Sequence, residues 1–367
     1  MSVKQLSVLN FRNLKNVKIE FHPNLNIITG DNGSGKSSVL EAIFFISHGK
    51  SFRTNKTENI VNHDFSKFVI NIKDNSDKSL GISKDHQNNQ LDIKVNGIRV
   101  NKLSELAKNI AVQIITPESF KLFFGGPKER RRFIDLGLFH VKHDFSLKWR
   151  HFSKVLKQRN ACLKNKVSLQ ELSYWTDIFI EYSELIANDR LEYIESLRNE
   201  LQTWLLILLP NYHEKIELIY SQGWTQKRSL QQVLNDNKDK ERLYGYSLMG
   251  AHKFDIKFML NKQPLEAVIS RGQQKLFLLA LTLAQSKLIE TVMQVKPILM
   301  IDDIGAELDV NSRKALATAL DKLNCQVIAT AVNRVDLDPL IPKPIINNNE
   351  KYKMFHVKHG EISIECE

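Results

Sequence analysis

The spacing of apolar residues along the chain changes twice. Short apolar runs of strand length stand at residues 3–9, 17–21 and 25–29. Residues 39–45, Val-Leu-Glu-Ala-Ile-Phe-Phe, then have the spacing of a helix. Strict alternation returns at 68–72, 80–82 and 91–95, and Asn96-Gly97 before 98–100 predicts a hairpin turn, with polar loops at 73–78 and 84–90. From Lys128 to Leu209-Pro210 the period is helical and glycines are few. In 149–164, Trp149, Phe152, Leu156 and Leu163 share one face, and Arg150, Lys154, Lys157 and Lys164 another. In 175–201, Ile178, Phe179, Tyr182, Leu185 and Ile186 form a stripe that reads as core packing. Residues 211–265 are short mixed segments: a strand at 215–219, a polar helix at 229–242 and a strand at 253–260. A helix from Leu276 and apolar runs at 297–301 and 326–330 restore the α/β texture. There is no internal repeat and no heptad array. The pattern predicts an α/β core interrupted by an inserted, mainly helical lobe, with parts at 1–120, 121–260 and 261–367.

Between the third strand and the first helix stands Gly30-Asp31-Asn32-Gly33-Ser34-Gly35-Lys36-Ser37-Ser38, which fits the phosphate-loop pattern G-x-x-x-x-G-K-[ST] in full and in the required context of strand, turn and helix. The glycines let backbone N–H groups close round an anion, and the helix N-terminus adds partial positive charge. Lys36 would reach the β- and γ-phosphates of a nucleotide, and Ser37 would offer a hydroxyl to Mg²⁺.

The run Pro297-Ile298-Leu299-Met300-Ile301 ends in Asp302-Asp303. A carboxylate at such a strand end holds Mg²⁺ through the nucleotide's water shell, which is the part expected of Asp302. Asp303, one residue on, would orient or deprotonate the attacking water. Upstream, Ser270-Arg271-Gly272-Gln273-Gln274-Lys275 precedes an apolar helix. Ser270 is an expected N-cap, and Gly272 and Gln273 stand where a second helix end could face an anion. A merely capped helix is the plain alternative.

Charge adds a partner. The net charge is +11 and the pI is near 9.3. Residues 128–166 hold twelve basic residues against three acids, +9 of that total. Lys128, Arg130, Arg131, Arg132, Arg150, Lys154 and Lys157 are therefore the candidate nucleic-acid-binding residues, an ordinary solvated basic face being the alternative. Cys162, Cys325 and Cys366 have no metal-ligand spacing, and the chain carries no apolar signal core at its start, so a reducing cytoplasmic setting is expected. The apolar runs at 204–209 and 276–284 read as too short to span a membrane. His140 and His143 lack partner ligands for a metal.

These elements in this order resemble the P-loop ATPase heads of the ABC, SMC and Rad50 type. Asn10-Phe11-Arg12-Asn13-Leu14, Gly49-Lys50-Ser51-Phe52-Arg53, Thr116-Pro117-Glu118-Ser119 and the stretch from Gly126 to Asp135 narrow the resemblance to the RecF family. Gln158-Arg159-Asn160, Gly250-Ala251-His252-Lys253 and the stretch from Asp302 to Asp309 extend it along nearly the whole chain. The resemblance implies an ATP-dependent homodimer in which Ser270 to Gln274 of one copy closes on the γ-phosphate held by the other, with Asp309 at the shared interface. It further implies binding to double- and single-stranded DNA at gaps and junctions. RecO and RecR are the implied partners in loading RecA, in repair, replication-fork maintenance and the SOS response.

Two departures qualify this. The usual Glu after the magnesium Asp is Asp303, and no His follows the strand 326–330, so slow ATP hydrolysis is expected, as a reset after a switch set by binding. Gly250-Ala251-His252-Lys253 varies the family's usual Gly-Pro-His-Arg. Adenine contacts near Arg12 and Lys56 are placed by position alone. A cassette ATPase powering a membrane transporter is the rival reading; it leaves the +9 segment unexplained.

Overall fold

The computed structural model describes residues 2–54, 57–62, 64–85, 87–88, 90–303, 308–341 and 352–365. The chain forms two compact units, one joining the residues up to Ser119 with those from Lys275 onward, the other spanning Phe120–Gln274.

The first unit opens with β1 (Val3–Phe11), β2 (Leu14–Glu20), β3 (Leu25–Thr29) and α1 (Lys36–His48). It continues through β4 (Lys67–Asp74), β5 (Ser79–Asp85), β6 (Gln90–Val95), β7 (Ile98–Val100), the short α2 (Ser104–Ala107) and β8 (Val112–Ile115). The second unit holds α3 (Lys121–Phe124), α4 (Pro127–Val141), α5 (Phe145–Asn165), α6 (Leu169–Leu208), β9 (Ile216–Ser221), α7 (Leu230–Asp236) and α8 (Lys238–Tyr244). Then come β10 (Asp255–Leu260), β11 (Gln263–Pro264), α9 (Leu265–Val268) and α10 (Arg271–Met293). The chain returns to the first unit within α10, which is followed by β12 (Ile298–Ile301), the helix Val310–Lys322, β13 (Gln326–Thr330), β14 (Tyr352–Lys358) and β15 (Glu361–Ile364).

Two sheets make the first unit. One is antiparallel, in the order β2-β1-β4-β5-β6-β7; the other runs β15-β14-β3-β13-β12-β8 and is parallel apart from β15. The Asn96-Gly97 hairpin forms as expected, with φ of 52° and 78°, the left-handed pair that a two-residue type I′ turn requires. α1 packs on strands of both sheets, so Val39, Leu40, Ala42, Ile43, Phe45 and Ile46 are all buried. A helix apolar all round needs cover on every side, and two sheets give it. Phe11, Phe45 and Phe68 meet edge to face, with centroids 5.3–6.1 Å apart.

The second unit is built on α4, α5 and α6 with the small antiparallel sheet β11-β10-β9. Residues 261–274, read from the sequence as part of the core's return, group with this unit because β11 and α9 fold back onto β10. The helix expected at 229–242 is broken at Asn237, whose Nδ2 donates to Val233 O at 2.8 Å and competes with the helical ladder. Buried ion pairs hold the unit. Arg190, fully buried, donates to both Asp135 oxygens at 2.9 and 3.0 Å and lies 3.6 Å from the Phe254 ring centroid. Arg159 reaches Glu241, Ser247 and Thr176 at 2.7, 2.7 and 3.1 Å.

α10 corrects one expectation. At 23 residues it is long and apolar enough to cross a membrane, which the broken apolar runs hid; Phe277, Leu279, Leu281, Leu283 and Ile289 are buried in the fold.

Candidate nucleotide site

β3 delivers the chain to Gly30, and α1 leads it away from Gly35, so the loop between them is fixed at both ends by buried elements. Gly30 has φ 141°, and an added Cβ would lie 2.3 Å from Val357 O on β14, so no side chain fits there. Gly35 is the N-cap of α1. The first N–H groups bonded into the helix, those of Ser38 and Val39, reach Gly35 O, and the donors before them have no place in the helical ladder. Those donors and the positive helix end make the anion-directed cradle.

Asn13 braces the loop from β1–β2. Its Nδ2 donates to Ser34 O at 3.0 Å and Gly33 O at 3.3 Å, while its Oδ1 accepts from Ser38 Oγ at 2.8 Å. Gly360 N donates to Ser34 O at 2.8 Å from the β14–β15 turn. Lys36 is 7% exposed, and its ammonium donates to Gly30 O at 2.5 Å and Asp31 O at 2.9 Å. Burial lowers its pKa from the ordinary lysine value, against Asp303, Asp302 and Asp31, which raise it.

The acid pair meets the loop. Ser37 Oγ donates to Asp302 Oδ1 at 2.9 Å, and Thr330 Oγ1 from β13 donates to the same oxygen at 2.9 Å. Asp303 sits at φ 53°, with its N–H donating to Thr330 Oγ1 at 2.8 Å. Burial raises the Asp302 pKa above the usual aspartate value, and the Thr330 and Ser37 hydroxyls pull it back. Two hard oxygens 2.9 Å apart match the edge of an octahedron with bonds of about 2.0–2.1 Å, so Ser37 and Asp302 fit Mg²⁺.

Around this lies a cleft of about 500 Å³, lined by Lys36, Ser37, Asp302, Asp303, Arg12 and Arg53 among others. That volume suits a nucleotide. Arg12 is held by Glu41, which is fully buried, through bonds of 2.9 and 2.6 Å; Ser51 Oγ donates to Glu41 at 2.5 Å, and Arg53 stands 3.9 Å away. Asn13, Thr330 and the Glu41 network were absent from the sequence-derived site. Asn13 and Arg53 stand inside stretches that carry the family resemblance without indicating a role, Arg12 is read only as a neighbour of the adenine by position, and Thr330 reads as one more residue of a buried strand. Lys56, Cys366 and 304–307 lie outside the described residues.

Ser270, Gly272 and Gln273 belong to the second unit and are described there by themselves. Ser270 Oγ accepts from Gln273 N at 3.3 Å, and Gln273 Oε1 accepts from Ser270 N at 2.9 Å, a reciprocal cap at the start of α10. A Cβ added at Gly272 would meet nothing within 4 Å. Asp309 caps the helix Val310–Lys322, accepting from Ser312 N at 2.8 Å.

The basic residues of the second unit divide. Arg130 pairs with Asp255 through two bonds of 2.8 Å, and Arg131 donates to Phe254 O at 3.0 Å, so these two of the arginine triplet secure α4 to β10. Lys128, Arg132, Arg150, Lys154 and Lys157 are exposed, the last three along one face of α5. His140 is buried and His252 half-buried; no cluster able to hold a metal ion occurs among the described residues.

The family model for the RecF/RecN/SMC N terminal domain matches residues 2–358. The DNA replication and repair protein RecF of Colwellia psychrerythraea is 58% identical over 367 residues, spanning 99% of this chain and 97% of that one. The protein of that name from Pseudoalteromonas translucida is 39% identical over 368 residues and 99% of each chain. Among solved structures, the recombination mediator protein RecF with ATP, of the RecFOR pathway, superposes with a TM-score of 0.85 at 26% identity, over 100% of this chain and 98% of that one. An SMC head bound to the C-winged helix domain of ScpA gives 0.60 at 16% identity, over 100% and 97%, and shares the fold. With the head fold, the phosphate loop and the acid pair in place, the chain belongs to the RecF family.

Proposed function

We propose that the chain is an ATP-switched DNA-binding protein of DNA repair and replication, a recombination mediator of the RecFOR pathway working with RecO and RecR. The observation that carries this is the meeting of Ser37, Asp302 and Thr330 beside the Lys36 loop, with Mg²⁺-compatible spacing and a cleft of nucleotide size. Backbone N–H groups from Asp31 to Ser37 would hold the phosphates of ATP, and Lys36 would exchange its two carbonyl partners for phosphate oxygens. Ser37 and Asp302 would hold Mg²⁺, which when bound neutralises charge on the β- and γ-phosphates.

Asp303 is the group for orienting water. Its side chain is one carbon shorter than Glu, and Ala331, not His, follows Thr330, so turnover is slow and binding is the switch. Ser270, Gly272 and Gln273 of a second copy would complete the γ-phosphate site and close an ATP-dependent homodimer. Lys128, Arg132, Arg150, Lys154 and Lys157 would contact DNA phosphates, giving affinity that depends strongly on salt and weakly on sequence.

Fluorescence anisotropy of a labelled gapped duplex, with and without ATP and Mg²⁺ across a salt series, tests the reading. Tighter binding with ATP, lost in Ser37→Ala and Asp302→Asn, is expected. Equal affinity in both nucleotide states would overturn it.

A further inference from the structure

The DNA-binding reading leaves one exposed feature of the second unit unused. Tyr244 and Tyr246 bracket Gly245 at the C-terminal end of α8 and are 59% and 45% exposed, with ring centroids 6.1 Å apart and planes at 31°. Exposed tyrosines are common singly, but this pair is held on a rigid base. Gly245, at φ 74°, donates its N–H to Glu241 O at 2.8 Å. The Glu241 side chain is fully buried, accepting from Arg159 at 2.7 Å and from Leu248 N at 2.7 Å. Arg242 ties α8 to the α5–α6 turn through Val167 O at 3.3 Å. The rings therefore stand on a fixed support, and ordering them on a ligand costs little entropy.

Cations surround the pair. A Cβ placed on Gly245 would lie 3.4 Å from Lys164 Cα, which puts the turn against the C-terminal part of α5. That end of α5 carries exposed Lys164 and, at its left-handed cap, Lys166; Lys164 continues the exposed face of Arg150, Lys154 and Lys157. Lys253 Nζ lies 5.8 Å from the Tyr246 ring centroid. α8 adds exposed Lys238 and Lys240 against one exposed acid, Asp239.

A ligand matched to this surface presents flat rings and anionic groups in alternation. Unpaired nucleotides do so; the bases of a duplex are stacked on one another and offer no free face. We propose that Tyr244 and Tyr246, with Lys164, Lys166 and Lys253 around them, form a stacking site for unpaired bases of single-stranded DNA. The proposal rests on the DNA-binding reading above and adds to it the residues that distinguish a single strand from a duplex.

The test uses the full chain and three labelled probes: an oligothymidylate, an abasic strand of the same length, and a blunt duplex. The double variant Tyr244→Ala/Tyr246→Ala, with far-UV circular dichroism to confirm its fold, should bind oligothymidylate about tenfold or more weakly. Its affinity for the abasic strand and the duplex should stay within about twofold of the parent's, since those contacts are ionic. Tyr244→Trp/Tyr246→Trp should restore oligothymidylate binding, and photocrosslinking of an iodouracil-containing strand should map to the two tyrosines. Unchanged oligothymidylate binding would overturn the proposal and leave the pair as a protein-docking face. An equal loss on the abasic strand would also overturn it. Failure of the parent protein to bind duplex strikes the DNA-binding reading itself, and is read separately from the loss that the tyrosine variants show on a single strand.

Discussion

Thr330→Val removes one hydroxyl from between Asp302 and Asp303 and keeps the side chain's shape. Thr330 is fully buried, donates to Asp302 Oδ1 at 2.9 Å and accepts from Asp303 N at 2.8 Å. Valine fills the same volume, so no cavity term arises. The variant loses a hydrogen bond to a carboxylate, about 1.5–3 kcal/mol, and leaves a half-buried N–H without its acceptor, about 1 kcal/mol more. The expected destabilisation is about 2.5–4 kcal/mol. Burial already raises the Asp302 pKa and the Thr330 hydroxyl opposes it, so the pKa climbs further in the variant. The four tryptophans, Trp149, Trp175, Trp204 and Trp224, all lie in Phe120–Gln274, so urea unfolding has to be followed by far-UV circular dichroism to see the first unit. Thr330→Ser is the control: it keeps both bonds and loses one methyl, about 1 kcal/mol. Because Asp303 is held at φ 53° by this contact, ATP hydrolysis should fall in Val and persist in Ser. A valine variant as stable as the serine variant would refute the reasoning.

Lys36→Arg should retain the fold and lose nucleotide binding, measured by calorimetric titration, because a planar guanidinium cannot take the place of an ammonium held between Gly30 O and Asp31 O. The second unit should be acid-sensitive. Burial lowers His140 and His252 from 6.5 to about 4, so the folded state binds fewer protons than the unfolded one between those values. Their contribution is present in full above pH 6.5 and is lost as pH falls toward 4, about 3 kcal/mol for each, and tryptophan-monitored urea midpoints should drop across that window. Asp255→Ala should cost about 2 kcal/mol by stranding Arg130, visible in the same midpoints. Replacing Arg150, Lys154 and Lys157 by Ala should leave those midpoints unmoved and flatten the salt dependence of DNA binding by about three phosphate contacts.

Much of the first unit was legible because its signals are local. Gly30 to Ser38 needed only its own residues and flanks to declare a phosphate loop, and Asn96-Gly97 declared its hairpin by the φ values those residues tolerate. What stayed hidden depends on partners far along the chain. Thr330 meets Asp302 across neighbouring strands, and Asn13 meets Ser34 and Ser38 across a turn, contacts for which no spacing rule exists. Charge counting treated Arg130, Arg131 and Arg132 as one patch, whereas Asp255 and the Phe254 carbonyl, more than a hundred residues away, claim two of them. The extent of α10 was missed because Gln285, Ser286, Lys287 and Glu290 end the apolar run at Ala284, while the helix continues through them to Met293.

In the proposed homodimer a magnesium triphosphate joins the Gly30–Ser38 loop of one copy to the Ser270–Gln273 cap of another. Light scattering after size-exclusion chromatography, in Mg²⁺ with a non-hydrolysable ATP analogue, tests it most directly. A doubling from the 42.4 kDa single chain is expected, one that ADP does not produce and that Ser270→Arg abolishes. A protein saturated with the analogue that still elutes as one chain would contradict it.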